Sequence, residues 1–260
     1  DVVDGQGGFL APGFIDLHTH SDHLADKPEN RPNLNYLMQG CTTVVTGNCG
    51  GGKLEVAEFF DKVDQGGTGT NVIHLIPHGR LRKAAMGNDN RVPSPDELAE
   101  MKRLVGVKMK NGAWGMSTGL IYTPSAYAET PEIIELAKVV AAHGGIYVSH
   151  IRDEGKGLLG AVDETIRIGR EANVPVHISH FKVVGKPHWG LVRKAAQMIE
   201  EARRDGVVVT AEQYPYIATS TSLLATLFPV SRIPGGRSNL AKRMADDPDL
   251  DGAVVVNWQI

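Results

Sequence analysis

The sequence predicts an α/β fold of the barrel type: a (β/α)8 TIM-type barrel of which strands one to seven are present. Three observations carry this. Short strand-like runs alternate with helical stretches along most of the 260 residues, which is the pattern of βαβ units around a parallel sheet. Seven such units follow one another in register. No G-x-G-x-x-G follows the first strand and no G-x-x-x-x-G-K-[ST] occurs, so a doubly wound nucleotide-binding sheet has little support.

The strands are expected at residues 13–17, 42–46, 72–77, 113–117, 145–149, 174–179 and 207–212. Between them the helices announce their ends. Ser94-Pro95-Asp96-Glu97 reads as an N-cap, a proline at the first helical position and a capping-box glutamate. Thr130-Pro131-Glu132 is expected to open the next helix in the same way, with Gly144 just past its end. The segment 191–204 has apolar residues near helical spacing and stops before Gly206.

Composition narrows the function classes. Hydrophobic residues are 42%, charged residues 22% and the formal net charge is −3, so a sizeable core is available and no basic cluster invites nucleic acid. The apolar runs are short and broken, so no membrane span is expected. Two cysteines, Cys41 and Cys49, make no disulfide framework, which fits a reducing, cytoplasmic setting. No signal peptide is visible and the chain opens at Asp1 without a methionine, so a longer protein is expected.

A barrel places its chemistry at the C-terminal ends of its strands. Strand one runs into His18-Thr19-His20, strand two into Cys49, strand five into His150 and strand six into His180. Residues two apart on a strand share a face. His18 and His20 are therefore expected to point the same way, and His180 to share the barrel interior with Ile178 and Val176, leaving His177 outward. Imidazole and thiolate are the nitrogen and sulfur ligands that zinc prefers. Five ligands exceed what one catalytic ion needs, which leaves room for a second metal.

Each residue has a plainer reading. H-x-H alone is a weak motif and fits two satisfied polar groups at a strand mouth. A free cysteine is ordinarily a buried small hydrophobe, but Gly47, Asn48 and Gly50 around Cys49 argue for a tight loop instead. Cys41 begins its strand and is read as core. His23, His143, His177 and His188 are read as loop or outward-facing residues. His74 and His78 flank strand three, and His78 fits a loop-ordering role as well as a site role.

With these residues on the page, the chain resembles the amidohydrolase superfamily and, within it, the D-aminoacylase (N-acyl-D-amino-acid deacylase) family. The likeness lies in "APGFIDLHTHSD", "TTVVTGNCG", "HGRLRKAAMG", "STGLIYTPSAYA", "YVSHIRDEG", "HISHFKVVG" and "EQYPYIATSTSL", in that order. It implies zinc-dependent hydrolysis of the amide bond of N-acyl-D-amino acids on a barrel of the metal-dependent hydrolase kind. It also implies a tight zinc on Cys49, His150 and His180 and a second, weaker metal position at His18 and His20. By the same carry-over Lys182, Tyr122 and Tyr214 meet the substrate carboxylate, with Ser220 near the acyl group. The residues themselves allow surface or rim roles for Lys182, Tyr122 and Tyr214.

Two departures qualify the likeness. Cyclic-amide hydrolases of the superfamily bridge two metals with a carboxylated lysine on strand four, but strand four here reads "AWGMSTG", so Cys49 is the bridging candidate. The family's general acid and base, an aspartate on strand eight, has no counterpart, and no catalytic residue is assigned within the 260; it is expected beyond Ile260. Glu212, Asp22 and Asp153 are fallbacks. The expected organisation is the end of a small β-sandwich at residues 1–12, the barrel at 13–228, and the start of an insertion at 229–260 that contains "GAVVVNWQI". Against the deacylase reading stand a cyclic-amide or isopeptide hydrolase and a truncated metal-binding domain without turnover. The preferred side chain, the number of metals and the oligomeric state stay open.

Overall fold

The computed structural model describes residues 4–222, with Ala225 and Lys242. Seven strands form one sheet in chain order: β1 (Phe14–Asp16), β2 (Cys41–Thr46), β3 (Asn71–Pro77), β4 (Gly115–Gly119), β5 (Ile146–His150), β6 (Val176–Ile178) and β7 (Val209–Ala211). Every neighbouring pair is parallel. The helices are α1 (Leu34–Leu37), α2 (Val56–Gly66), α3 (His78–Met86), α4 (Pro95–Lys110), α5 (Thr130–Ala142), α6 (Leu158–Ala172) and α7 (Leu191–Arg204). Among the described residues β1 and β7 are the free edges of the sheet. Among the described residues the result is the expected incomplete barrel, with no ladder joining β7 to β1.

The core has two layers, and they sort the two faces of each strand. Ile76, Met116, Tyr147, Val176, Ile178 and Val209 pack outward against helix residues such as Met101, Leu136, Ile166 and Ile199. Val45, Leu75 and Val148 form a separate apolar cluster inside the barrel. From β4 to β6 both faces are covered, whereas β1 and most of β7, at the sheet edges, are exposed.

The face assignment corrects the expectation for strand six. Val176 and Ile178 face the helices, and His177, in register with Val148, faces the interior. His177 is buried there, its Nδ1 2.8 Å from Thr210 Oγ1. His74 lies within β3 and is wholly buried between Thr46 Oγ1 (2.7 Å) and the Lys53 carbonyl (2.8 Å).

The capping box of α4 is present: Ser94 Oγ accepts from the Glu97 amide and Glu97 accepts from the Ser94 amide. At α5 the N-cap is Glu129, with Thr130 the first helical residue. The Thr130 hydroxyl is turned instead to Glu164 Oε1 at 2.8 Å, a carboxylate that also pairs with Arg152. Gly144, at φ +71°, ends α5 as expected.

Residues 4–13, which include most of the segment read as a β-sandwich remnant, are exposed and carry no strand. The insertion expected at 229–260, with its "GAVVVNWQI", lies outside the described residues apart from Lys242. No helix among the described residues is long and apolar enough to cross a membrane. Two substitutions in the intact protein check this packing by denaturant unfolding. Ser94→Ala should lower stability by about 1 kcal/mol through the lost cap, and Leu136→Ala, at a wholly buried position, by about 2–5 kcal/mol through cavity formation.

Candidate metal centre

The C-terminal ends of β1, β2, β5 and β6 deliver their ligand-type residues to one place. His18 and His20 follow β1, and their rings meet edge to face with centroids 5.4 Å apart. Cys49 stands three residues past β2 and His150 is the last residue of β5. Cys49 Sγ lies 3.3 Å from His18 Nε2 and 3.6 Å from His150 Nδ1, and His180 Nε2 lies 2.8 Å from His150 Nδ1. In a tetrahedral zinc site with these ligand types, donor atoms are roughly 3.3–3.6 Å apart. Two groups of three donor atoms, His18–Cys49–His180 and His150–Glu154–His180, each lie within 4.8 Å of one another. His150 Nε2 is buried with no hydrogen-bond partner among the described residues. The donor set and its spacing fit a zinc ion.

His180 arrives by a route that strand alternation does not provide. It lies beyond β6 in the left-handed region, at φ +36°, and Cys49 is likewise left-handed at φ +55°. Non-glycine residues adopt such backbone rarely, and the strain collects at functional sites. At His180 the reversal swings the ring back from the helix side to the barrel mouth. The Cys49 loop is clamped from several sides. Asn48, wholly buried, donates to the carbonyls of Leu17, Thr19 and Val45. Ser117 Oγ accepts from the Gly50 amide at 3.0 Å and donates to the Gly47 carbonyl at 2.5 Å. Asp22 accepts from the Gly47 amide at 3.0 Å. Gly119 must be small here, because a Cβ would stand 2.2 Å from the Cys49 carbonyl oxygen.

Two carboxylates that the motifs did not single out as site residues organise the imidazoles. Glu212, just past β7, was only a fallback proton carrier. Its Oε1 lies 2.6 Å from His18 Nδ1 and its Oε2 accepts from the His180 amide at 2.5 Å. Nothing in the sequence around Glu154 marks it as a site residue. It lies 2.7 Å from both His180 Nδ1 and Lys182 Nζ. The other fallbacks are engaged elsewhere: Asp22 holds Gly47, and Asp153 accepts from the Gly155 amide at 2.6 Å.

Charge in the cluster follows from these contacts. Burial opposes ionisation of Cys49, yet hydrogen bonds from His150, His18, His180 and His20 hold its thiol well below the usual range. Burial likewise opposes charge on His18, but Cys49 and Glu212 outweigh it and push its pKa up to about 10. His180 is raised against its burial by Cys49 and Glu154. Glu154 and Glu212 stay below the usual carboxylate range despite burial, held by His180 and His18 respectively. The ionised thiol is the form in which cysteine binds metal, whereas a histidine ligand must be neutral. A metal ion here would therefore displace the protons that Cys49 and the two carboxylates favour on His18 and His180.

Tyr122, after β4, places its ring 5.0 Å from that of His150 and its hydroxyl 2.8 Å from Thr221 Oγ1. Lys182 stands 5.6 Å over the ring of Tyr214, whose hydroxyl is buried with no partner among the described residues. Ser220 is exposed on the segment after β7. His78 is structural: it is wholly buried, 2.7 Å from Ser125 Oγ and 3.1 Å from Glu132 Oε1. Strand four brings no lysine to the mouth. Lys108 is buried on α4 and pairs with Glu55.

A parallel barrel with a thiol and several imidazoles gathered at its C-terminal mouth is a barrel of the metal-dependent hydrolase kind. A model of the amidohydrolase family matches residues 1–215, and the chain belongs to that family. It is 41% identical to the D-aminoacylase of Alcaligenes xylosoxydans xylosoxydans over 85% of this chain and 50% of that protein. It is 37% identical to the N-acyl-D-aspartate deacylase of the same organism over 85% of this chain and 49% of the relative. Among solved structures it superposes on the N-acyl-D-glutamate deacylase of Bordetella bronchiseptica, complexed with zinc and a phosphonate mimic of the tetrahedral intermediate. That match has a TM-score of 0.75 and 35% identity, over 79% of this chain and 48% of the other. The chain thus spans about half the length of these relatives.

The clamp on Cys49 is open to test in the intact protein. Gly119→Ala should force the Cys49 carbonyl aside, lower stability by about 1–3 kcal/mol and speed the reaction of Cys49 with a thiol reagent. Denaturant unfolding and thiol-labelling rates read the two effects.

Proposed function

We propose that this chain is the barrel part of a zinc-dependent N-acyl-D-amino-acid deacylase, which hydrolyses the amide to a D-amino acid and a carboxylate. The single observation that carries the reading is the meeting of Cys49, His150 and His180 beside His18 at the barrel mouth. The deacylase relatives support it. In this reading Cys49, His150 and His180 hold the tight zinc, and His18 and His20 form a second, weaker position that shares Cys49. A zinc ion there supplies Lewis acidity to an amide carbonyl and acidifies water near neutral pH. The free state of both cysteines fits a cytoplasmic enzyme.

The protein's own residues orient the parts. Glu212 takes the Nδ1 side of His18, and Glu154 the Nδ1 side of His180. Both rings therefore present Nε2 to the centre, with tautomer and orientation fixed by a carboxylate. Lys182 has three donors. Glu154 takes one and the His180 carbonyl at 3.3 Å another. His180 Nδ1, 3.2 Å away, carries its own proton toward Glu154 and accepts none, which leaves one for the α-carboxylate of a substrate. Tyr214 under Lys182 and Tyr122 beside His150 offer hydroxyls to the same carboxylate, with Ser220 toward the acyl group. Glu212, Asp22 and Asp153 are all committed to other contacts, so none is assigned to protonate the departing amine. A cyclic-amide reading would need a lysine at the mouth of strand four, and the described residues put none there.

An assay of the intact protein on N-acetyl-D- and N-acetyl-L-amino acids, with metal analysis, tests the reading. Turnover confined to D-substrates with bound zinc is expected; zinc with no turnover on either series leaves a metal-binding domain. Cys49→Ala should lose both zinc and activity, and retained activity would move the chemistry to His18 and His20. Glu212→Gln should weaken metal at the His18 position by roughly 10–100-fold, measured by equilibrium dialysis, because it frees that imidazole.

Lys182→Met separates recognition from structure. A fixed cation matters only to an anionic substrate, and a charge-assisted contact contributes about 1.5–3 kcal/mol. KM for N-acyl-D-amino acids should rise far more than KM for neutral N-acyl amides. Equal losses on both would make Lys182 a support for Glu154.

A further inference from the structure

Beside the centre lies a cavity of about 590 Å³ whose wall includes His20, Cys49 and Tyr122 and, on the β3 side, Arg80, Lys83 and Asn88. Among the described residues no carboxylate lines it. Arg80 and Lys83 are exposed, and neither makes an ion pair or side-chain hydrogen bond with any described residue. Both stand on α3, three residues apart and so on one helix face, where like charges repel each other.

The helix cannot roll to relieve this. Arg82, wholly buried, bonds Glu132 at 3.1 Å and the carbonyls of Asp89 (2.9 Å) and Arg91 (2.6 Å). His78 at the start of α3 reaches the same Glu132, and Leu81 is wholly buried in the core. The Gly79 amide bonds the Gly50 carbonyl at 3.0 Å, so α3 is tied directly to the Cys49 loop. The Arg80–Lys83 face is thus held at the wall of this cavity with neither cation in an ion pair among the described residues. Arg80 also borders a neighbouring hollow with Asp22, Asp26, Glu55 and Glu58, whereas Lys83 does not. Lys182 lies elsewhere, past β6, three strands from β3 and already paired with Glu154. One cationic group is paired on the β6 side of the centre, and two unpaired cations stand on the β3 side.

We propose that Arg80 and Lys83 form a subsite for a second carboxylate, so that the preferred substrates are dianionic. One carboxylate sits at the α-carbon and the other at the far end of the molecule. This deepens the deacylase reading and rests on it. The second carboxylate has two chemical sources, an acidic side chain or a dicarboxylic acyl group. An arginine fork and a lysine present strong charge-assisted donors to either, and leaving them unpaired beside a neutral substrate is what gives discrimination.

The test compares kcat/KM for N-acetyl-D-leucine, N-acetyl-D-glutamate and N-succinyl-D-leucine, in the intact protein and in the double variant Arg80→Met, Lys83→Met. Both positions are exposed on a helix, where methionine is a good helix former. Wild type should prefer at least one dianion over N-acetyl-D-leucine by tenfold or more, and the variant should bring that ratio to about one. A ratio lost only for N-acetyl-D-glutamate assigns the side chain; one lost only for N-succinyl-D-leucine assigns the acyl group. Equal falls on all three substrates, or no preference in wild type, overturn the subsite. Thermal shift with glutarate keeps the two readings apart. Stabilisation by glutarate that the variant loses, without turnover of any substrate, upholds the subsite and rejects the deacylase. The same shift in both proteins rejects the subsite.

Discussion

Two left-handed residues decide where the centre forms. Cys49 at φ +55° and His180 at φ +36° both leave the geometry of their strands, and without those turns the donor atoms would not meet. In a continuous β6 the alternation would carry His180 to the side of Val176 and Ile178, against the helices. Such backbone is strained by roughly 1–3 kcal/mol per residue and persists only where its surroundings over-determine it. The surroundings do so here. The carboxylate of Glu212 grips the His180 amide, while Asn48, Ser117 and Asp22 hold the Cys49 loop on three sides. The buried main core behind the sheet gives those groups a rigid base.

The same carboxylates solve an electrostatic problem. Several imidazoles and a thiol packed within a few ångströms can adopt many proton arrangements, few of which leave lone pairs converging. Placing Glu212 on Nδ1 of His18 and Glu154 on Nδ1 of His180 selects the arrangement in which both Nε2 atoms face inward. Lys182 then offsets the charge of Glu154 at 2.7 Å. Burial, which alone would neutralise these carboxylates, is outweighed by partners that hold both ionised. The ligand geometry therefore depends on residues beyond the ligands themselves.

Much of this was legible in the sequence, and the remainder was not for physical reasons. The seven strands can be read because short β-type runs alternate regularly with helical stretches, although only β4 to β6 are covered along nearly their whole length. The ligand residues could be read because strand ends are where a barrel keeps its chemistry. Period-two alternation gives the wrong aim for His180 because it assumes an unbroken strand, and no residue type marks a histidine that turns left-handed. Glu154 went unseen because a glutamate in "HIRDEG" looks like any solvated loop charge; only the fold shows that it sits between His180 and Lys182. His177 looked external for the same reason of parity, and it is interior. Thr130 resembled a cap by composition, but the Arg152–Glu164 pair drew its hydroxyl away.

The stretch "HGRLRK" shows how one short charged run divides its labour. Three cations within four residues would ordinarily read as a solvated face. The helical period of 3.6 residues separates them: Arg82 turns inward with Leu81, and Arg80 and Lys83 turn together toward the cavity. A buried guanidinium is tolerated only when fully paired, and Glu132 with two backbone carbonyls pairs it. That pairing fixes the rotation of α3, and the bond from Gly79 to Gly50 fixes its distance from Cys49. Structural burial on one side of the helix thus determines the charge presented on the other, a few residues from the centre where the substrate would lie.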